Sequence, residues 1–217
     1  MNNTAAARQA MVDGQVRVND VTDPRVQAVM LAVERDVYIP KAQRAAAYSD
    51  VDVKLAEGRY LMKPRDFAKL LQALEVEAGD LVLDIGTATG YSAVVLSQLA
   101  ETVVALEEDE ALAAQTEKAM GPAAADNVAV IHSNFLAGVP DQAPFDVIFV
   151  NGAVVKTPTA WLHQLADGGR LAVIERDGPA GQGVIYTRSG GVIGRRVVFD
   201  ALTPYLPGFA PVQQFVF

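Results

Sequence analysis

The residues best suited to ligand chemistry form a glycine-containing turn after a short apolar strand. Leu81–Tyr91 reads LVLDIGTATGY, so an apolar run leads into Gly86 and Gly90 and then into a predicted helix. Glycine lets a backbone approach a ligand closely, and parallel sheets bind ligands beyond the carboxyl ends of their strands. Glu107 ends the next apolar strand, seventeen residues after Gly90. A carboxylate there can accept both hydroxyls of a ribose, so the pattern indicates a nucleoside site.

The spacing of the turn distinguishes this site from two other nucleotide sites. Gly86 and Gly90 are four residues apart with Ala88 between them, which does not match the dinucleotide pattern GxGxxG. The phosphate-loop signature GxxxxGK[ST] is also missing. The form that remains, D-x-G-x-x-x-G from Asp84 to Gly90, is the one used for S-adenosylmethionine. We therefore expect this cofactor, although the glycines alone could make a tight turn and Glu107 could be a surface carboxylate.

Alternating strands and helices are predicted to position the turn. After Leu81 the pattern is typical of a mainly parallel sheet with helices on both faces. The predicted parallel strands are LVLDI at 81–85, TVVALE at 102–107, NVAVIH at 127–132, FDVIFV at 145–150 and RLAVIE at 170–175. GVIYTR and VIGRRVVF around Ser189-Gly190-Gly191 predict a terminal hairpin. Pro204 to Phe217 could add an edge strand, although its three prolines oppose this.

A helical region is predicted in front of this sheet. Asp23 can cap a helix that begins at Pro24. A second helix begins at Pro64 and carries an apolar face of Phe67, Leu70, Leu71 and Leu74. We expect an α/β fold: a Rossmann-like, mainly parallel seven-stranded methyltransferase sheet with an N-terminal helical extension. Residues 1–75 would form the helical region, which contributes to the site of the molecule that accepts the methyl group. Residues 76–217 would form the S-adenosylmethionine-binding domain, and the two regions would pack as one unit.

Composition and charge exclude several classes of function. Eighteen basic and twenty-six acidic residues give a formal charge of −8, which repels a phosphate backbone, so no nucleic acid partner is expected. No apolar run approaches the roughly 20 residues that span a membrane, so we expect no membrane partner. The chain has no cysteine and its N-terminus lacks the apolar stretch of a secretory signal, which together predict a cytoplasmic protein.

The two histidines are the remaining candidates for acid–base or metal chemistry. His132 ends a predicted strand, and His163 follows Trp161 in a predicted helix. They lack metal-ligand spacing such as HExxH, and no cluster of carboxylates joins them. We expect structural roles for both and no metal.

The order of several segments resembles that of the protein-L-isoaspartate O-methyltransferase family over almost the whole chain. These segments are MVDGQVRVNDVTDPRVQAVMLAVERDVYIP at 11–40, AYSD at 47–50, the turn at 82–91, PFDVIFVNGAV at 144–154 and QLADGGRLAVI at 164–174. The resemblance implies methyl transfer from S-adenosylmethionine to the side carboxylate of isoaspartate in a protein or peptide. Isoaspartate is an altered residue that forms when Asn or Asp rearranges.

The resemblance also implies which residues bind each ligand. The expected cofactor contacts are Asp84, Gly86, Thr87, Gly90, Tyr91 and Glu107, together with Ala88, Glu108 and Asn151. The loop at 133–135 would contact the adenine through Asn134 and Phe135. The expected acceptor site consists of Asp50, Tyr60, Met62 and Lys63.

Three departures from the family's pattern affect these assignments. Met62 stands where the family has the serine of its Thr-Ile-Ser tripeptide, Ser133-Asn134-Phe135 replaces Gly-Asp-Gly, and Ala88 stands where glycine is common. A sulfonium methyl is already activated and a carboxylate with a pKa near ~4 is ionised at neutral pH, so no general base is obligatory. Losing the serine hydroxyl would then cost ~1–3 kcal/mol and slow the reaction. Lys63 could compensate in part by attracting a carboxylate.

These departures leave two alternatives beside the isoaspartyl enzyme. One is a methyltransferase with a changed acceptor, which Met62, Asn134 and Phe135 would explain. The other is a protein that binds S-adenosylmethionine without catalysis. The sequence does not predict the oligomeric state.

Overall fold

The N-terminal part of the chain is mainly helical. The computed structural model describes residues 4–123 and 125–211. Helix α1 (Thr4–Met11) continues through a π-helical turn, and α2 (Pro24–Ala32) follows. The Asp23 carboxylate accepts a hydrogen bond of 2.8 Å from the Arg25 amide, which confirms the predicted cap. Two 3-10 helices then lead to a small hairpin of β1 (Val53–Ala56) and β2 (Arg59–Leu61).

Helix α3 (Pro64–Leu74) joins this region to the main sheet. Its predicted apolar face is buried, with Phe67, Leu70, Leu71 and Leu74 each at most 1% exposed. The Phe67 ring lies 5.3 Å from the ring of Tyr91 and 5.2 Å from that of Phe149, between centroids. The helical region and one face of the sheet therefore share a single hydrophobic core.

The main sheet has the seven strands that the sequence predicts. They are β3 (Leu81–Ile85), β4 (Thr102–Glu107), β5 (Val128–His132), β6 (Phe145–Val154), β7 (Leu165–Arg176), β8 (Gly181–Ser189) and β9 (Val192–Ala201). Their spatial order is β5-β4-β3-β6-β7-β8-β9; the first five are parallel and the last two pair antiparallel. The intervening helices are α4 (Tyr91–Ser97), α5 (Glu110–Met120) and α6 (Thr159–His163). The expected α/β fold and terminal hairpin are confirmed.

The strand order reverses beside β3, and this positions the functional site. From β3 the chain proceeds to β4 on one side, whereas β6 pairs with β3 on the other. A crevice opens beyond the carboxyl ends of strands at such a reversal, and ligands of open parallel sheets bind there. Gly86, Glu107 and Asn151 all lie at this edge of the sheet.

The segment after β9, which the sequence left open as a possible edge strand, forms no strand as far as residue 211. Its backbone makes one isolated bridge, between Ala153 and Tyr205, and the Leu206 amide donates to the Ala153 carbonyl at 2.8 Å. Proline has no amide proton, so Pro204 and Pro207 interrupt any longer ladder. The rest of the predicted strand, at 212–217, lies outside the described residues.

Within the described part of the chain, no helix combines the length and apolar character needed to cross a membrane.

Substitution of Phe67 by alanine should test the shared core. Phe67 is fully buried between two aromatic rings, so Phe67→Ala should lower the free energy of unfolding by about 3–5 kcal/mol. Val18→Ala is the matched control, because Val18 is 68% exposed and its loss should change stability by less than about 0.5 kcal/mol. Urea titration followed by circular dichroism measures both, and equal effects would contradict a shared core.

Candidate active site

The glycine turn adopts left-handed backbone conformations at three positions. The φ angles are 77° at Gly86, 54° at Ala88 and 93° at Gly90. A left-handed conformation costs a residue with a Cβ about 1–2 kcal/mol, so Ala88 must be held by its neighbours. Its amide donates to Glu107 at 2.8 Å, and its carbonyl accepts from the Thr116 hydroxyl at 2.7 Å. These two bonds explain why alanine is tolerated where the family often has glycine.

The two glycines of the turn meet different neighbours. A Cβ on Gly90 would lie 3.0 Å from Met120 and 3.2 Å from Thr116, both on α5, so close helix packing requires glycine there. A Cβ on Gly86 would lie 2.8 Å from Leu206 Cδ1 and 3.2 Å from Arg59 Nη2. The space beside Gly86 is therefore filled by side chains from two distant segments of this chain.

Asp84 connects three elements below the turn. It is fully buried; Oδ2 accepts from the Ser92 hydroxyl at 2.7 Å, and Oδ1 from the Asn151 amide at 2.7 Å. Asn151 also donates to the Ile85 carbonyl at 3.1 Å. Both carboxylate oxygens are thus engaged by β6 and α4, so Asp84 holds the turn in position.

Glu107 lies at the centre of the crevice and has a charged partner that the sequence did not predict. Arg59 Nη1 donates to Glu107 Oε1 at 2.5 Å, and Arg59 Nη2 donates to the Gly86 carbonyl at 2.6 Å. The guanidinium carbon lies 5.1 Å from the centre of the Phe135 ring. Glu107 is 0% exposed and Arg59 4%. Removing one partner of such a buried pair typically costs about 3–5 kcal/mol.

The remaining hydrogen bonds of Glu107 come from the backbone. Its Oε1 also accepts from the amides of Glu108 and Asp109, at 3.0 and 3.1 Å, and Oε2 accepts from Ala88. A carboxylate has about four acceptor positions, two on each oxygen. Oε1 accepts three hydrogen bonds, one of them from Arg59, whereas Oε2 accepts one, from Ala88.

The predicted adenine loop lies at the outer end of the crevice. The Asn134 amide donates to Glu108 at 2.8 Å, while Asn134 Oδ1 accepts from the Leu136 amide. Phe135 is 1% exposed and supports the Arg59 guanidinium. Glu108 and Asn134 line a cleft of about 460 Å³ whose opposite wall includes 207–209. A cleft therefore exists where the sequence predicts the adenine.

Two other predicted cofactor residues face the protein interior. Tyr91 is fully buried against Tyr38 and Phe67, with the guanidinium of Arg35 5.1 Å from its ring centre. Burial raises the Tyr91 pKa. Thr87 is 4% exposed, and its amide donates to the Leu106 carbonyl at 3.3 Å. Contact of these side chains with a cofactor stays a prediction.

The predicted acceptor residues lie at the base of the hairpin. Met62 is 2% exposed, and with the half-buried Tyr60 it borders a cavity of only about 10 Å³. The Lys63 ammonium lies 3.3 Å from Asp66 and donates to the Leu202 carbonyl at 3.3 Å. Asp50 is exposed.

Four residues that the sequence analysis did not single out contribute to the site. Asp52 accepts from the Lys63 amide at 3.0 Å and from the Thr203 hydroxyl at 2.9 Å, and burial raises its pKa. Arg35 donates to the carbonyls of Ala47 and Met62. The others are Arg59 and Leu206. A charged residue beside the family's acceptor tripeptide was the available signal for Arg59, and Leu206 carried none.

No group of three or more metal-ligating side chains occurs among the residues that the structure describes. His132 lies exposed at the end of β5, with Nε2 3.1 Å from the Glu108 carbonyl oxygen. His163 ends α6, as the sequence predicts.

A seven-stranded sheet of this order, with a glycine turn after β3 and a carboxylate after β4, defines the Rossmann-like methyltransferase class. The family model described as "Protein-L-isoaspartate(D-aspartate) O-methyltransferase (PCMT)" matches residues 6–184. The chain belongs to this family, whose members are S-adenosylmethionine-dependent methyltransferases.

Individual relatives agree with this assignment. The chain is 36% identical to a protein-L-isoaspartate O-methyltransferase of Koribacter versatilis, covering 78% of this chain and 76% of the relative. It is 33% identical to protein-L-isoaspartate O-methyltransferase 1 of Syntrophobacter fumaroxidans, covering 88% and 94%. The fold matches beta-aspartate methyltransferase (PCMT) from Plasmodium falciparum in complex with S-adenosyl-L-homocysteine, with a TM-score of 0.78, 23% identity and coverage of 95% and 99%. The two sequence relatives favour the isoaspartyl hypothesis over both alternatives.

The residue types that line the crevice suit a nucleoside, but two side chains of the chain itself fill part of the crevice. Glu107, Gly86 and the loop at 133–135 stand at the positions that a βαβ nucleoside site uses. The Arg59 guanidinium and the Leu206 side chain occupy the space beside Gly86, and Arg59 and two backbone amides occupy Oε1 of Glu107. An adenosyl group bound at Glu107 and Gly86 would compete with these two side chains for the same space.

The buried Asp84 should make stability depend on pH in a defined direction. Burial raises the pKa of Asp84 to about 6 from the ordinary 3.8, against hydrogen bonds from Ser92 and Asn151 that lower it. Between these two values the folded state binds more protons than the unfolded state. The free energy of unfolding therefore contains a contribution that decreases as pH rises through this window, on the order of 3 kcal/mol in total.

Asp84→Asn should remove this contribution. Asparagine retains an acceptor for Asn151, and the Ser92 hydroxyl can accept from its amide. We expect the free energy of unfolding of the wild type, minus that of the variant, to fall as pH rises from about 4 to about 6. Urea titrations at several pH values measure this difference, in which other titrating groups cancel. Parallel pH profiles would contradict a raised Asp84 pKa.

Proposed function

We propose that this chain methylates the side carboxylate of isoaspartyl residues in proteins, with Glu107 binding the ribose of S-adenosylmethionine. The observation that carries the proposal is a fully buried carboxylate at the end of β4, bonded to the amide of the glycine turn. Membership of the family supports the reaction. The bound cofactor supplies a methyl group on a positively charged sulfur, which is already activated for transfer.

The residues of the chain then have to align the acceptor carboxylate with the methyl group and do not have to transfer a proton. An acceptor carboxylate is ionised at neutral pH, so no side chain has to remove a proton. Alignment of nucleophile and methyl can supply up to about 7–11 kcal/mol in favourable intramolecular models. The sheet provides such rigidity, because Asp84 ties the glycine turn to β6 and α4.

A broad cleft beside Lys63 supports a carboxylate acceptor on a large molecule. Its volume is about 720 Å³, and it lies between the start of α3 and the ends of β7, β8 and β9. Four basic side chains, Lys63, Arg65, Arg176 and Arg195, line it together with three acidic ones, Glu175, Asp177 and Asp200. Basic groups attract an acidic segment and fix its orientation, and an open cleft leaves room for flanking peptide.

The two regions of the chain have separate parts in this proposal. Residues 1–75 supply Met62 and Lys63 to the acceptor side, and residues 76–217 supply Glu107 and the glycine turn to the cofactor side. Arg59 is the exception, because it belongs to the first region and contacts Glu107 of the second. We propose a cytoplasmic location for this reaction, as the sequence predicts.

Methyl transfer to a defined peptide tests the proposed reaction. With S-adenosylmethionine labelled in its methyl group, we expect label to enter a peptide that contains isoaspartate. The same peptide with ordinary aspartate is the matched control and should remain unlabelled. The label should be released as methanol in mild base, because the product is a methyl ester. Binding of S-adenosylmethionine with no transfer to the isoaspartyl peptide would contradict the proposed acceptor.

Met62 offers a second test, because it stands in place of the family's serine. Met62→Ser restores a hydroxyl that can orient the acceptor, and a hydrogen bond of about 1–3 kcal/mol predicts a 5- to 150-fold rise in kcat/KM for the isoaspartyl peptide. Met62→Ala controls for the space opened by losing this buried side chain and should not show the rise. An equal gain in both variants would show that volume, and not the hydroxyl, limits the reaction.

A further inference from the structure

Arg59 lies in the position where a ribose would have to bind. It starts β2 directly after the left-handed Gly58, and its side chain extends from the hairpin into the crevice. The guanidinium bridges Glu107 Oε1 and the Gly86 carbonyl while lying over the Phe135 ring. These three groups are the predicted ribose ligand, the glycine turn and the adenine loop. One side chain therefore contacts every part of the predicted nucleoside site.

The hairpin that carries Arg59 is not part of the hydrogen-bonded main sheet. β1 and β2 form a separate two-stranded sheet of four and three residues, with an irregularity between Lys54 and Ala56. A two-stranded hairpin of this size has little stability of its own. Its tip is exposed, and the Lys54–Glu57 ion pair there faces solvent, which adds little to stability.

The hairpin tip meets the C-terminal segment that also fills the crevice. A Cβ on Gly58 would lie 3.3 Å from Pro207 Cγ. The adjacent Leu206 is 2% exposed, and its atoms lie within 3.1 Å of Cβ positions on both Gly86 and Gly152. The hairpin and residues 202–209 together cover the carboxyl ends of β3 and β6. Withdrawal of one segment therefore loosens the other.

We propose that Arg59 is an internal competitor for the cofactor site, so that the chain exchanges between a closed state, with Arg59 on Glu107, and an open state that binds S-adenosylmethionine. This inference rests on the proposed function, because it assumes that the cofactor uses Glu107. The apparent dissociation constant equals the intrinsic one divided by the fraction of open molecules. Any change that removes the closed state should tighten cofactor binding.

Arg59→Gln is the primary test. Glutamine is shorter and uncharged, so it cannot bridge Glu107 and Gly86 as the guanidinium does. We expect Arg59→Gln to bind S-adenosylmethionine and S-adenosylhomocysteine roughly tenfold more tightly than the wild type, or better, in calorimetric titrations. Arg17→Gln is the matched control, because it breaks an exposed ion pair with Asp13 and an exposed hydrogen bond to Gln27. Its affinity should equal that of the wild type.

A reversible lock tests the same inference without removing Arg59. The chain has no cysteine, so Gly58→Cys with Pro207→Cys introduces a single pair, at two positions where a Cβ on Gly58 would contact the Pro207 ring. The oxidised double variant should hold the hairpin closed and lose cofactor binding. Reduction of the same sample should restore binding, so each sample provides its own control.

The possible results separate this inference from the proposed function. Equal, tight binding by the wild type and Arg59→Gln overturns the competition and leaves the proposed function standing. Binding by the oxidised double variant as tight as by its reduced form likewise overturns the closed state. If folded wild type, Arg59→Gln and the reduced double variant all fail to bind, the proposed function and the competition both fail.

Discussion

A buried carboxylate must have its charge balanced and its oxygens hydrogen-bonded, and the site is organised by this requirement at Glu107. An ionised group without such partners would cost far more than a folded domain can tolerate. Three backbone amides, at Ala88, Glu108 and Asp109, supply part of the compensation. Ala88 belongs to the glycine turn after β3, and the other two residues belong to the loop between β4 and α5. The loops that follow these two strands therefore place three donors around the Glu107 carboxylate. Arg59 supplies the positive charge.

Asp84 on β3 and Glu107 on the neighbouring β4 are both buried, but their carboxylates receive hydrogen bonds from different kinds of partner. This difference separates their roles. Asp84 receives hydrogen bonds from Ser92 and Asn151, which are built into α4 and β6. Those donors belong to the rigid sheet, so Asp84 acts as a fixed connection. Glu107 receives its charged partner from a short hairpin outside that sheet. A partner of that kind can be exchanged for a ligand, whereas the partners of Asp84 cannot.

The same hairpin links the two sides of the proposed reaction. β2 carries Arg59 at its start and leads directly to Met62 and Lys63, the predicted acceptor residues. Asp52, just before β1, accepts from the Lys63 amide and from Thr203, so the hairpin base is attached to the C-terminal segment. Movement that frees Glu107 must therefore also shift the surroundings of Met62. Cofactor entry and shaping of the acceptor pocket are coupled through this connection.

The sequence by itself determined the seven strands, the cap at Asp23, the helix start at Pro64, the turn from Gly86 to Gly90 and the carboxylate at Glu107. These features follow from local periodicity, backbone preferences and spacing, which short segments of sequence express. It left the structure of the C-terminal segment open, because the bridge to Ala153 depends on a partner far away in the chain. Only the tertiary structure decided that Arg59 reaches Glu107, 48 residues away, and that Leu206 fills the space beside Gly86. Such contacts depend on which distant segments the sheet brings to one edge, and residue type and spacing do not encode that.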